Sequence, residues 1–292
     1  MRATAGINVS NCHNLETLII DNTTGIVSGI AQNTKLKRLD ICSWTDYYNK
    51  TNADLLRDAL PVLTELEWLD CGGLYMGGII DVSHNSNLKH FTCRENSLTQ
   101  LNIGNNPEIT YLDVAGNRIE SLDLNSLLRL EILWADWNPF ETIELSSNPE
   151  LTRLHINGSP ISALDLSQNT KLVDLVCRST NLSSLDLSNN KLLEQLDCRW
   201  NNISILDVSK CPHLGESHYN NYEFGETSLY CVQNVGENGV NLLQTLYIAE
   251  GQVIPFINDG QRSEEHIPPT TSILVTPNSG ENEGSGDHEN EP

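Results

Sequence analysis

Between Leu101 and Val208 one short phrase, apolar-x-apolar, recurs with almost no drift, and no other feature limits the possible folds so strictly. Its first apolar residues are Leu101, Leu112, Leu122, Leu133, Ile143, Leu154, Leu164, Leu175, Leu185, Leu196 and Leu206, so the steps alternate eleven and ten. Two different phrases therefore share one period of 21 residues. A period of that length marks a solenoid, in which each coil buries its apolar face against its neighbours rather than within itself.

The first phrase is seen whole in Leu193-Glu-Gln-Leu196-Asp-Cys198-Arg-Trp-Asn201-Asn-Ile203 and matches the leucine-rich-repeat pattern. The second reads as in Leu185-Asp-Leu-Ser-Asn-Asn190. Alternation along a strand turns Leu196 and Cys198 inward and Gln195, Asp197 and Arg199 outward. Stacking such strands converts each inner position into an apolar column and each outer position into a ladder of exposed side chains. The expected architecture is a right-handed, β-rich superhelix of about nine coils with a concave parallel sheet and short second strands on the other side.

The chain has 292 residues, long enough for two domains, yet the repeat runs through most of it and argues for one elongated unit. Hydrophobic residues make up 38% and aromatics 6%, as expected of a core assembled from many leucines without long helices. The 39 Asp plus Glu outnumber 17 Lys plus Arg, and the net charge of −22 would repel phosphate backbones, so nucleic acid is not the expected partner. No apolar run is long enough to cross a bilayer, so membrane insertion is not expected either. Met1-Arg-Ala-Thr-Ala lacks the apolar stretch of a signal peptide.

In chain order, Ile7-Asn-Val9-Ser-Asn-Cys12 is already a second-type phrase, which reads as a fragment of a longer precursor or a first coil that frays. First-type strands follow around Leu18, Leu39, Leu69, Phe91, Leu112, Leu133, Leu154, Leu175 and Leu196. The step from 39 to 69 is longer, and Asn52 to Pro61, with an Asn cap, apolar pairs four apart and a closing proline, predicts a short helix there. The expected division is a solenoid over 1–214, a degenerate C-terminal cap over 215–262 holding strands near Leu229 and Leu246, and an acidic disordered tail or linker over 263–292.

Each column offers a bland reading beside a functional one. Asn96, Asn117, Asn138 and Asn201, replaced by Ser159 and Thr180 in two coils, follow the strands where bend carbonyls and amides need partners, and Asn85, Asn106, Asn148, Asn169 and Asn190 do the same at the other bend. Cys71, Cys93, Cys177 and Cys198 alternate with Val114 and Ile156 and act as small buried hydrophobes, while Cys211 and Cys231 would be the disulfide if one forms. The acidic column Asp81, Asp123, Glu144, Asp165, Asp186 and Asp207 either accepts hydrogen bonds from its own turn amides or holds a ladder of calcium ions. No C-x-x-C spacing is present, so no metal and no cofactor is expected.

Function is expected on the outward ladder of the first-type strands. Trp68, His90, Tyr111 and Arg153 precede the strand leucines, Asp113, Trp134 and His155 lie between the apolar pairs, and Arg94, Asp136, Arg178 and Arg199 lie beyond them. Trp137 and Trp200 come one residue later, so four of the five tryptophans share this face, while Trp44 opens the long coil. Tryptophan beside arginine on one surface is the composition of binding hot spots. His155 beside Asp113 could imitate an acid/base pair, but no nucleophile column accompanies it and no G-x-S-x-G, P-loop or H-E-x-x-H is present, so the chain does not read as an enzyme.

The combination of Leu-x-Cys-x-x-Asn with Leu-Asp-Val/Leu-Ser resembles the bacterial cysteine-containing leucine-rich repeats of internalin J-like adhesins and of Bacteroidetes surface proteins. The likeness spans roughly residues 7–214 and is most specific at Cys71, Cys93, Cys177 and Cys198. It implies a curved, non-enzymatic recognition module, extracellular or at the cell surface. The expected partner, taken by a monomer on its concave face, is a protein, such as a host surface protein, or a glycan. The competing reading is a structural spacer that presents another domain.

Overall fold

Each first-type phrase becomes a strand only three residues long, because a central leucine flanked by two outward residues is all that one coil contributes to the sheet. The computed structural model describes residues 6–20, 25–43, 50–104, 106–214, 229–231, 243–249 and 272–276. Its first strands are β1 (Ile7–Asn8), β2 (Thr17–Ile19), β3 (Val27–Ser28), β4 (Arg38–Asp40), β5 (Trp68–Asp70), β6 (Gly78–Asp81) and β7 (His90–Thr92). Next come β8 (Leu98–Asn102), β9 (Tyr111–Asp113), β10 (Ile132–Trp134), β11 (Arg153–His155), β12 (Asp174–Val176) and β13 (Gln195–Asp197). The last are β14 (Ile205–Asp207), β15 (Leu229–Tyr230), β16 (Thr245–Ala249) and β17 (Ser272–Thr276).

Ten of these strands form one parallel sheet in the order β2-β4-β5-β7-β9-β10-β11-β12-β13-β15. The central residues stay in register from Leu39 to Leu69, Phe91, Leu112, Leu133, Leu154, Leu175, Leu196 and Leu229, and each has 1% exposure or less. This is the solenoid expected from the period, with β15 added as a tenth strand. Second-type phrases form sheets only toward the two ends, as β1-β3, β6-β8 and β14-β16-β17. From Leu122 to Leu187 they run as bends without a ladder.

The interior is one continuous apolar column. Cys71, Cys93, Cys177 and Cys198 stand in line with Val114, Ala135 and Ile156, all fully buried, and all eight cysteines are free thiols. Burial pushes the thiols of Cys71, Cys93, Cys177 and Cys198 up, and those of Cys211 and Cys231 to about 12. Cys211 and Cys231, both free thiols, are not bridged: Cys211 faces the carbonyl of Leu187 at 3.8 Å, whereas Cys231 follows β15 of the large sheet.

Both asparagine columns hold the bends together. Asn117 donates to the carbonyls of Val114 (2.8 Å) and Cys93 (3.1 Å), and its Oδ1 accepts the amides of Leu98 (2.9 Å) and Asn96 (3.2 Å) in the preceding coil. On the opposite bend Asn169 donates to Asn148 (2.9 Å) and Leu145 (3.1 Å). The carboxylates of Asp81, Asp123, Asp165, Asp186 and Asp207 each accept the amide two residues on at 2.8–3.0 Å, the turn bond expected for this phrase.

Two expectations are corrected. The helix of the long coil is α1 (Lys50–Ala59), closed by a 3-10 turn over Leu60–Val62, so Asn52 lies inside it rather than capping it. Its amide instead accepts from Val27 (2.8 Å) and donates to Gly25 (3.0 Å), tying α1 to the preceding coil. The stretch 263–292 is not tail throughout, because Ser272–Thr276 pairs along its length with β16. The segment Ser-Ile-Leu-Val-Thr, rich in β-branched residues, suits a strand. Trp44 lies outside the described residues.

Candidate binding face

The outward residues of the large sheet stack across the coils, because parallel strands in register bring equivalent positions to neighbouring rungs. Trp68 and His90, first residues of β5 and β7, stack with ring centroids 3.4 Å apart, and His90 stacks on Tyr111 at 4.1 Å. The file then steps diagonally to the last residue of β10, with Tyr111 meeting the edge of Trp134 at 5.5 Å and Trp134 stacking on His155 at 5.8 Å. Charged groups close both ends. The Arg38 guanidinium lies 4.5 Å from the Trp68 ring, and His155 Nε2 lies 3.3 Å from an Asp174 carboxylate oxygen. Seven side chains from seven successive strands thus form one unbroken row.

Stacking buries much of this row. The indole N–H groups of Trp68 and Trp134 are covered and have no hydrogen-bond partner among the described residues, a cost that ring stacking must offset. His90 is held neutral, its pKa lowered to about 4 by burial and by the Arg38 charge. Burial raises the carboxyl of Asp113 to about 7, the Ala115 amide and Arg94 opposing the shift, and burial with the Asp113 charge raises the phenol of Tyr111.

The face is less open than alternation alone suggests. Asp113 is 1% exposed and His155 6%, while Arg199, at 8%, folds back on Asp197 with contacts of 2.8 and 3.0 Å. These three are therefore not free ladder residues. The neighbouring rungs are large enough to roof them, which spacing cannot reveal. His155 pairs with Asp174, not with Asp113, and Asp113 instead has Arg94 at 3.8 Å. Trp68, His90, Tyr111, Trp134, Arg94, Asp136, Arg153 and Arg178 are half-buried, with Arg178 3.9 Å from Asp197 and Asp136 accepting the Asn157 amide at 2.7 Å.

Trp137 and Trp200 stand apart. They are 59% and 44% exposed and sit in the bends just beyond the ends of β10 and β13, with left-handed backbone, φ 54° and 57°. The same bend position is left-handed in each of the third to ninth coils: Gly73, Glu95, Gly116, Trp137, Gly158, Ser179 and Trp200. Glycine adopts this conformation freely, whereas another residue there costs about 1–2 kcal/mol. A Cβ on Gly158 would strike the Trp137 ring, 2.6 Å from its Cζ3, so the indole lies flat over that glycine.

Arg38 and Asp174 occupy the same outward columns, but column position alone does not mark them as the ends of the row. Asp70, an outward ladder residue, also meets Asp40 and Cys42, a cluster that no spacing in the sequence announces: their side-chain ligand atoms lie within 4.8 Å of one another and are the group among the described residues that could hold a metal ion. Asp40 is engaged by Arg38 at 3.8 Å and Asp70 by the Gly72 amide at 3.0 Å. On the opposite side, Glu144, Asp165 and Asp186 line a cavity of about 330 Å³.

No protein-family model matches the chain, and no curated protein does. Solved structures do. The functional domain of InlJ from Listeria monocytogenes, which includes a cysteine ladder, is similar at 22% identity and a TM-score of 0.55, over 84% of this chain and 66% of that one. A leucine-rich-repeat protein of Leptospira interrogans is similar at 17% identity and a TM-score of 0.55, over 91% and 75% of the two chains. The plant peptide hormone receptor RGFR1, solved in complex with RGF2, is similar at 15% identity and a TM-score of 0.54, over 94% and 54%. The chain thus has the fold of the leucine-rich-repeat proteins, and among its neighbours is a bacterial member with the cysteine ladder that its own buried thiols resemble. This chain spans just under two thirds of the Listeria domain.

Proposed function

We propose that the chain is a protein-binding, adhesin-like module at the cell surface or outside the cell, which takes a protein partner on its concave sheet. The observation that carries this reading is the row from Arg38 through Trp68, His90, Tyr111, Trp134 and His155 to Asp174, flanked by the exposed indoles of Trp137 and Trp200. Aromatic side chains and arginine gathered on one rigid surface supply the anchors that dominate interface energies. The plant peptide hormone receptor, solved in complex with RGF2, supports a binding role for such a scaffold. No helix among the described residues is long and apolar enough to cross a membrane.

A pull-down from host surface and matrix extracts tests the proposal. The wild type should capture a discrete protein, and a variant with Trp68, Trp134, Trp137 and Trp200 all changed to alanine should not. Equal capture by both would move the site off this face. Glycan capture is the competing outcome, favoured by the two exposed indoles, and an array of oligosaccharides probed with the same pair of proteins separates the two.

A further inference from the structure

Three of the four tryptophans on this side of the molecule differ in what lies on their rings. Trp68 carries the Arg38 guanidinium at 4.5 Å and Trp200 carries Arg199 at 5.0 Å. Trp137 carries no cation among the described residues and is the most exposed of them, at 59%. One face of its indole lies on Gly158 and the other faces solvent. Its backbone is left-handed at a position where the coils on either side use Gly116 and Gly158. A bulky residue kept where glycine would be free of strain, with neighbours shaped to receive its ring, points to a use for that ring.

The chemistry of the surroundings selects the occupant. The preceding residue is Asp136, whose half-buried carboxylate is held by the Asn157 amide at 2.7 Å. The whole chain carries a net charge of −22, a field that draws cations toward it. The indole face is the negative end of the ring quadrupole, and this protein already places its own guanidinium groups on two such faces.

We propose that Trp137 is a cation-accepting subsite, and that an arginine side chain of the protein partner lies on its outward face. The proposal rests on the reading of the concave side as a protein-binding surface and adds to it the chemistry of one anchor: the partner presents a basic, exposed segment.

The test follows the indole N–H resonance of Trp137, assigned by its disappearance in Trp137→Gly. That variant keeps the fold, because glycine already occupies the same bend in three coils. N-acetylarginine amide should shift the resonance saturably, and the neutral isostere N-acetylcitrulline amide should bind roughly two- to thirtyfold more weakly, the range expected for a cation over an indole. Gly158→Ala, which displaces the ring without removing it, should weaken the arginine probe likewise.

Equal binding of the two probes, or no saturable shift with arginine, overturns the proposal, as does saturation by maltoheptaose alone, which would make Trp137 a sugar platform. The broader reading fails separately. If Trp137→Gly still captures the partner while loss of Trp68 and Trp134 abolishes capture, the concave surface stands and the subsite is wrong. If neither change affects capture, the concave reading itself is wrong.

Discussion

Asp113 is the residue at which solvent pH reaches into this face. Its carboxyl has a pKa of about 7 in the folded chain, against about 3.9 for an unperturbed aspartate. The folded state therefore holds the proton more tightly than the unfolded state. The resulting stabilisation is complete below about pH 4 and is lost as pH rises toward 7, by roughly 1.4 kcal/mol for each unit crossed. Asp113→Asn removes this dependence while keeping an acceptor for the Ala115 amide 3.0 Å away. Denaturant titrations at pH 5 and pH 8 should show the variant gaining stability relative to wild type at the higher pH. A parallel shift of both proteins would exclude Asp113 as the cause. The row also changes what tryptophan replacement does. Trp134→Ala removes a ring packed between Tyr111 and His155 and should lower the melting temperature, whereas Trp137→Gly should leave it unchanged or raise it by relieving a left-handed tryptophan.

Bends, rather than strands, carry the polar bonding of each coil. Asn117 serves three carbonyls and two amides, all but the Ala115 carbonyl in buried bonds, so Asn117→Ala should cost about 2–4 kcal/mol, measured as a fall in the denaturation midpoint. At the same place two coils on, Ser159 is fully buried and its hydroxyl has no partner among the described residues. Ser159→Asn restores the side chain that spans the bend elsewhere and should stabilise by about 1 kcal/mol; a fall in the midpoint would show that this coil has adapted to serine. These columns were legible in the sequence because the spacing that sets the strands also sets the bends. Asn52 was not, because its position relative to α1 resembles a cap, while its partners, Val27 and Gly25, lie a coil away. Contacts between coils follow the period, and insertions break it. For the same reason the row of rings was readable as a set of outward residues but not as a stack: the diagonal step from Tyr111 to Trp134 and the roofing of Asp113 depend on side-chain size across three rungs.

Along the whole spiral the thiols report integrity. Cys12 is exposed, while the other seven are buried, so a thiol reagent should titrate about one group in the native protein and eight after unfolding. Rapid native reaction of several would mean that coils open locally. Because neighbouring coils share one register, such opening is expected to start where pairing ends and to spread from there. The left-handed bend has a broader consequence. From Gly73 to Trp200 the backbone takes the same turn whether it bears hydrogen, hydroxymethyl, carboxylate or indole. Side chains there can be exchanged without rewinding the spiral, so a lineage could retarget the molecule by swapping single letters in a row of interchangeable sockets, leaving the leucines beneath untouched.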